Sequence, residues 1–370
     1  MANPSRIFML GLICALSVAC GDDKDTEDDG STATTGAGVT TSNSGSTSSG
    51  TGAGGEGGGG PEPIEGPEDE WAWRPIQGTL CGNGSTAGVG VNLHEGSTDL
   101  IIVVSGGGAC WDDEMCNGAA PASVHLHEEL TEGIVAPELP VVDRSDPNNP
   151  LSTATWAYVP YCTGDLHWGD QRTEYASGAI EHRGASNLRT FLERLRATRP
   201  ETQRILLIGG SAGGYGVTFH WGTAKDVFGD IEVHVLADAA PMVRPQGTRY
   251  ADMLAAWSPE FPAGCTECAD DPGFLIDALA DAHPTSRHGL MIYDNDAVIS
   301  QYFGFEGALA AAIATLRTTH HDPHDLTKVF VVPGTDHGVL GDDVAGSDGS
   351  TATEFFVAWL LGDASWHSTP

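Results

Sequence analysis

The sequence predicts an α/β fold, a mostly parallel central sheet covered by helices on both faces. Three observations carry that expectation. From residue 99 onward, short continuous apolar runs recur at strand length between turn residues, as strands buried on both faces do. Helix-period patterns fall between those runs, and alternation of strand with helix implies parallel pairing. One run leads directly into a serine packed between glycines, the form of a sharp strand-to-helix turn.

The predicted strands are Asp99–Val104, Thr155–Val159, Ile205–Ile208, Ile231–Leu236, Gly289–Tyr293 and Lys328–Val332. Between Asn187 and Arg196, Leu188, Phe191, Leu192 and Leu195 repeat at i, i+3, i+4, i+7, which predicts a helix. Val217–Phe228 is compatible with a helix, and Ala308–Leu316 is an alanine-rich one. The stretch from Pro241 to His288 is long for one connection. With Trp257, several prolines and the Cys265/Cys268 pair, it is expected to form a disulfide-containing cap or pocket wall.

Upstream of these elements the composition changes twice. Residues 1–20 hold Arg6, an apolar run from Ile7 to Val18, small residues and Cys20. That run is too short to span a bilayer and has the layout of a secretory signal. Leu16-Ser17-Val18-Ala19-Cys20 has the form of a bacterial lipoprotein box, so a lipid anchor on Cys20 is expected, with the mature protein at the cell surface or outer membrane. Residues 21–70 are dominated by Gly, Ser, Thr and acidic residues and contain too few apolar side chains to offset chain entropy; they read as a tether. Residues 71–370 are then long enough for one domain with a substantial core.

Cysteine usage fits an exported chain. Beyond the signal stand Cys81, Cys110, Cys116, Cys162, Cys265 and Cys268, an even set that reads as disulfides. Short loops favour Cys110–Cys116 and Cys265–Cys268, which leaves Cys81 with Cys162, although sequence alone permits other pairings. Zinc is not expected at Cys265-x-x-Cys268, because no second ligand pair stands at suitable spacing.

The formal charge is −34, from 51 acidic against 17 basic residues, with lysine only at 24, 225 and 328. Phosphate recognition needs a basic footprint, so nucleic acid is excluded as a partner. A polyanionic substrate would likewise be repelled.

The chemistry is expected at Gly209-Gly210-Ser211-Ala212-Gly213, which has the nucleophile-elbow form Gly-x-Ser-x-Gly. Small flanking residues let the chain turn while lifting the hydroxyl clear of the sheet. A serine hydroxyl is a poor nucleophile and needs a histidine oriented by a carboxylate. In this fold class the order along the chain is Ser, acid, His. His337 follows the last predicted strand in a Gly-flanked turn and is the expected base; His320, His321 and His324 precede that strand and read as solvated. For the acid, spacing leaves Asp294 and Asp296 open, with Asp238 a third option and one of the first two a turn residue. Donors for an oxyanion are expected from the Ala212 N–H and from Ser105-Gly106-Gly107-Gly108-Ala109-Cys110. That loop lacks the lysine and spacing of a phosphate loop.

Together Cys81-Gly82-Asn83-Gly84-Ser85, Gly106 through Asp112, Tyr161 through Asp165, Gly210 through Gly214 and the late His337 resemble the pectin acetylesterase/Notum family, its bacterial branch in particular. The resemblance spans most of the chain from about Cys81. It implies an α/β-hydrolase-like fold and removal of acyl groups from oxygen esters: acetyl from plant pectin, or a fatty acyl group from a signalling protein. It further implies Ser211 as nucleophile, His337 as base and Gly107, Gly108 and Ala212 as oxyanion donors. Asp296-Ala297-Val298-Ile299 resembles the family's acid followed by a short apolar run, which selects Asp296; Asp238 resembles a position near the site that is not the acid. Plant and animal members carry an aromatic residue where Gly108 or Ala109 stands here, which implies a more open pocket.

The expected activity is that of a secreted serine carboxylesterase acting through an acyl-enzyme on an ester substrate, a small molecule or an acylated glycan, with no metal or organic cofactor. A binding protein on a hydrolase scaffold without turnover, and a serine peptidase or polyester depolymerase, are the competing classes. Labelling of Ser211 by a fluorophosphonate probe and substrate profiling separate them.

Overall fold

The computed structural model describes residues 60–119, 122–126, 144–145 and 149–370. The expected signal segment, Cys20 and the tether as far as residue 59 lie outside these residues. The chain reaches the sheet through an antiparallel pair, β1 (Trp71–Leu80) and β2 (Thr86–Asn92), whose register slips between Pro75 and Leu80. Neither strand was predicted. β3 (Asp99–Val104), the short helix α1 (Asp113–Asn117) and β4 (Thr155–Val159) follow, then the small hairpin of β5 (Gln171–Glu174) and β6 (Ala179–His182). The central unit comprises α2 (Gly184–Thr198), β7 (Arg204–Gly210), α3 (Ala212–Phe219), α4 (Trp221–Phe228) and β8 (Glu232–Asp238). Beyond it come α5 (Arg249–Trp257), α6 (Phe274–Ala282), β9 (His288–Tyr293), α7 (Ala297–Phe303), α8 (Leu309–Leu316), β10 (Thr327–Val332) and α9 (Ala352–Leu361).

The eight-stranded sheet has the order β1-β2-β4-β3-β7-β8-β9-β10. From β4 to β10 every neighbouring pair is parallel, and β2 joins β4 antiparallel. The mostly parallel sheet expected from the sequence is therefore present, with an antiparallel pair added at one edge.

Side-chain alternation explains why the central strands read as unbroken apolar runs. In β3, Leu100, Ile102 and Val104 enter one core, which they share with Leu188, Phe191, Leu192 and Leu195 of α2 and Trp221 and Phe228 of α4. Ile101 and Val103 point to the other face and join Phe355, Phe356 and Trp359 of α9. Both faces are covered, so both side-chain sets must be apolar. α9 was not predicted, although Thr351 and Glu354 form a capping box at its start.

Within the stretch read as a tether, Ile64 is buried in the larger core, and its N–H donates to Thr198 Oγ1 at 2.6 Å.

Strand order places the site. β3 pairs with β4 on one side and β7 on the other, so the chain reverses its direction of travel across the sheet at β3. In such sheets ligands bind outside the carboxyl ends of the strands at this switch point. The two segments that leave there are the Gly106–Gly108 loop after β3 and Ser211 after β7.

Candidate active site

Ser211 occupies the turn between β7 and α3 with φ 53° and ψ −126°, a backbone conformation that non-glycine residues rarely adopt. Close approach of the neighbouring chain forces the glycines around it. A Cβ on Gly209 would collide with the Gly213 carbonyl, and one on Gly213 with the Val104 carbonyl at the end of β3. Ser211 stands at the N-cap of α3, but its hydroxyl makes no capping hydrogen bond. Its N–H donates to the Asp238 carbonyl at 2.8 Å.

Ala212 opens α3, so its N–H is among those that an α-helix leaves without an internal acceptor. A helix N-terminus favours negative charge. Gly106 lies against the elbow: a Cβ there would stand 2.7 Å from the Gly210 carbonyl and 3.0 Å from the Ala212 nitrogen. Gly108 has φ +78°. Gly106 is thus pressed against Ser211 and Ala212, while Gly107 faces Ser123 and Tyr161.

The loop is held from behind by the Tyr161–Asp165 segment, whose role the sequence did not reveal. Ser105 Oγ accepts from the Tyr161 N–H at 2.8 Å, and the Cys110 N–H donates to the Gly164 carbonyl at 2.8 Å. Asp165 is fully buried and accepts from Thr163 Oγ1 (2.6 Å), the His167 N–H (3.0 Å) and the Gly184 N–H (2.8 Å). Those bonds hold Leu166 and His167 in left-handed conformations and aim the imidazole at the loop. His167 Nε2 donates to the Ser105 carbonyl at 3.0 Å; burial pushes this histidine below its ordinary pKa, so the ring is neutral.

Covalent ties reinforce the same side. The disulfides are Cys81–Cys162, Cys110–Cys116 and Cys265–Cys268, the pairing that loop length favoured. Cys110, Cys116 and His182 form a compact group of metal-ligand type, but both sulfurs are spent in a disulfide. His182 is engaged by the Thr163 carbonyl and the Tyr175 hydroxyl. The segment 241–288 is tied to the same side: Trp257, fully buried at the end of α5, donates Nε1–H to the Cys110 carbonyl at 2.8 Å.

On the other side, His337 Nδ1 pairs with Asp296 Oδ2 at 2.8 Å. Asp296 is fully buried at the N-cap of α7, where Oδ1 accepts from the Ile299 N–H at 3.0 Å. One carboxylate therefore caps a helix and orients a histidine, with Nδ1–H as donor and Nε2 left facing outward. Asp294 is the turn residue: its Oδ1 accepts from the Gly334 N–H at 2.9 Å, across to the β10 loop rather than to its own backbone. Ser211 and His337 are not hydrogen-bonded to each other among the described residues.

Two sequence expectations need correction. His320 and His321 are buried rather than solvated; His320 and His324 both engage Asp277 of α6, at 2.5 Å and 2.9 Å, and thereby fasten the turn after α8 to α6. The flank of the oxyanion loop is not bare either. The Tyr302 hydroxyl, from α7, lies 2.7 Å from the place a Gly108 Cβ would occupy, so an aromatic side chain arrives from a different element.

An α/β sheet with a strained serine at its switch point, a histidine–carboxylate pair from the next strand ends and a glycine loop defines the hydrolase-like class. Comparisons with known proteins agree. Residues 74–254 match the family model described as Pectinacetylesterase, a span that contains Ser211 but neither Asp296 nor His337. The palmitoleoyl-protein carboxylesterase Notum of Drosophila melanogaster is 28% identical over 160 residues, which is 40% of this chain and only 23% of that protein. Two crystal forms of the Wnt deacylase Notum from Drosophila superpose with a TM-score of 0.58 each, at 18% and 19% identity. These cover 78% and 79% of this chain and 93% of theirs. The likeness to the Pectinacetylesterase model thus covers just under half of the chain, and the likeness to the Notum structures shows the same fold.

Proposed function

We propose that the protein is a secreted serine carboxylesterase that hydrolyses oxygen esters through an acyl-enzyme. What supports this reading is the left-handed Ser211 at the sheet's switch point, the close contact of Gly106 with it, and the buried Asp296 paired with His337. His337 Nε2 takes the proton from the Ser211 hydroxyl as its oxygen attacks the ester carbonyl. The tetrahedral oxyanion rests on the N–H groups of Gly107, Gly108 and Ala212. Collapse of that intermediate expels the alcohol, which receives the proton from His337. Water, activated by the same imidazole, then releases the acid. Asp296 holds the ring in the tautomer with Nδ1–H and stabilises the imidazolium that forms.

The family supplies the reaction class, since its named members act on acetyl esters of pectin and on a palmitoleoyl ester of a protein. An acetyl ester on a glycan is the substrate class adopted here. Three disulfides support folding in an oxidising compartment. The N-terminal signal with Cys20 supports a lipid-anchored protein at a bacterial cell surface. Ser211→Ala is the test: p-nitrophenyl acetate hydrolysis should vanish while the circular dichroism spectrum is kept. Hydrolysis retained by that variant would end the proposal.

A further inference from the structure

Asp238 ends β8 beside the elbow, and the mechanism above gives it no task. Its backbone carbonyl accepts the Ser211 N–H at 2.8 Å. Its side chain reaches the opposite bank: Oδ1 accepts from the Val339 N–H at 2.8 Å and Oδ2 from the Leu340 N–H at 2.9 Å. Those amides lie two and three residues beyond His337. Gly338, between His337 and Val339, turns with φ +88°, and a Cβ there would stand 3.6 Å from Asp238 Oδ2. One residue therefore holds the candidate nucleophile by its main chain and the loop of the candidate base by its side chain.

We infer that Asp238 is a positioning residue that fixes the His337 loop in register with Ser211 through its carboxylate. This inference rests on the esterase reading for its kinetic consequence but not for its structural one. Both oxygens act as acceptors, which only the ionised form can do fully. Burial opposes that form and pushes the carboxyl up to about 6, against the two N–H bonds and the nearby His337, which pull it down; Asp296 adds to the upward push. Among the other titratable groups near it, Tyr293 at the end of β9 feels the charge of Asp238 as well as those of Asp336 and Asp342. A fold that keeps a carboxylate where charge is disfavoured gains no stability from the charge. What it gains is a two-point clamp, and the clamp loosens when a proton occupies one oxygen.

The experiment combines amide exchange with kinetics on the full mature chain. In the wild type, protection of the Val339 and Leu340 amides, corrected for intrinsic exchange, should rise between about pH 5 and 7.5. In Asp238→Asn, which retains one acceptor, protection should be lower and flat with pH. On p-nitrophenyl acetate the variant should lose about 10- to 100-fold in kcat, with KM changed by less than about three-fold, as expected for misplacement without lost binding. Protection that ignores both pH and the substitution would overturn the inference, as would unchanged kcat once protection is lost. If Asp238→Asn does not fold, the wild-type exchange profile decides alone, a flat one overturning it. Should the wild type hydrolyse no ester, the proposed function fails while the exchange data still judge the clamp.

Discussion

The two banks of the site are built by different physics. The oxyanion bank is fastened by covalent bonds and steric contact: Cys110–Cys116 beside the loop, Cys81–Cys162 behind it, and a glycine backbone pressed against the elbow. Its buried carboxylate, Asp165, is met by three donors. The base bank has no disulfide among the described residues. It depends on the carboxylates of Asp296 and Asp238, with Val339 and Leu340 anchored in the core below. The first bank is held chiefly by covalent bonds and steric contact, the second chiefly by side-chain carboxylates that accept hydrogen bonds.

The largest expected effect ignores that division, because Ser211 belongs to both sides. Ser211→Ala should lower kcat by roughly 10⁵–10⁶, measured on an activated acetyl ester. On the base bank, Asp296→Asn should cost about 10³–10⁴ in kcat by presenting the wrong tautomer of His337, while removing the α7 cap only in part. Equal losses in kcat and in folding would mean that Asp296 acts as a helix cap and not as an orienting acid. On the oxyanion bank the expected damage is to stability. Replacing Cys81 and Cys162 by serine opens a loop with a sequence separation of 81 residues and should destabilise by roughly 4 kcal/mol; the Cys110/Cys116 pair, 6 residues apart, should cost about 2 kcal/mol. Denaturant melts at pH 5 and pH 8 should show the same loss, and a pH-dependent loss would blur the contrast between the banks.

The last effect concerns Asp238 and has a definite sign. Its folded-state pKa lies at about 6, above the ordinary 3.8, so its contribution is fully present below pH 3.8 and is lost as pH rises through 6. The stability of the wild type relative to Asp238→Asn should therefore decline by roughly 3 kcal/mol at most between pH 4 and pH 8. A difference constant with pH would show that this carboxyl does not titrate in the fold.

Legibility in the sequence followed burial. β3 and β4 match their predicted bounds, because strands covered on both faces leave apolar runs with abrupt polar ends. β1 was hidden by Pro75 and Gly78 within an edge strand whose register slips, and such strands carry no clean alternation. The elbow was readable because steric contact forces glycine at Gly209 and Gly213. Asp296 was not separable from Asp294 by spacing, since both follow β9 within three residues and both cross to the β10 loop. The resemblance selected Asp296, and the geometry pairs that residue with His337. The contacts of Asp165 and Asp238 stayed unread, although Asp238 was placed near the site, for a further reason: each works by accepting backbone N–H groups from distant segments, and main-chain donors leave no residue-type signature. Tyr302 likewise reaches Gly108 from a helix that only the fold brings near.

Intact-protein mass spectrometry after brief exposure to a fluorophosphonate probe tests the central claim most directly. The wild type should gain one adduct, mapped by peptide sequencing to Ser211, and Ser211→Ala should gain none. No adduct on the wild type, or an adduct on another residue, would contradict a Ser211 nucleophile activated by His337.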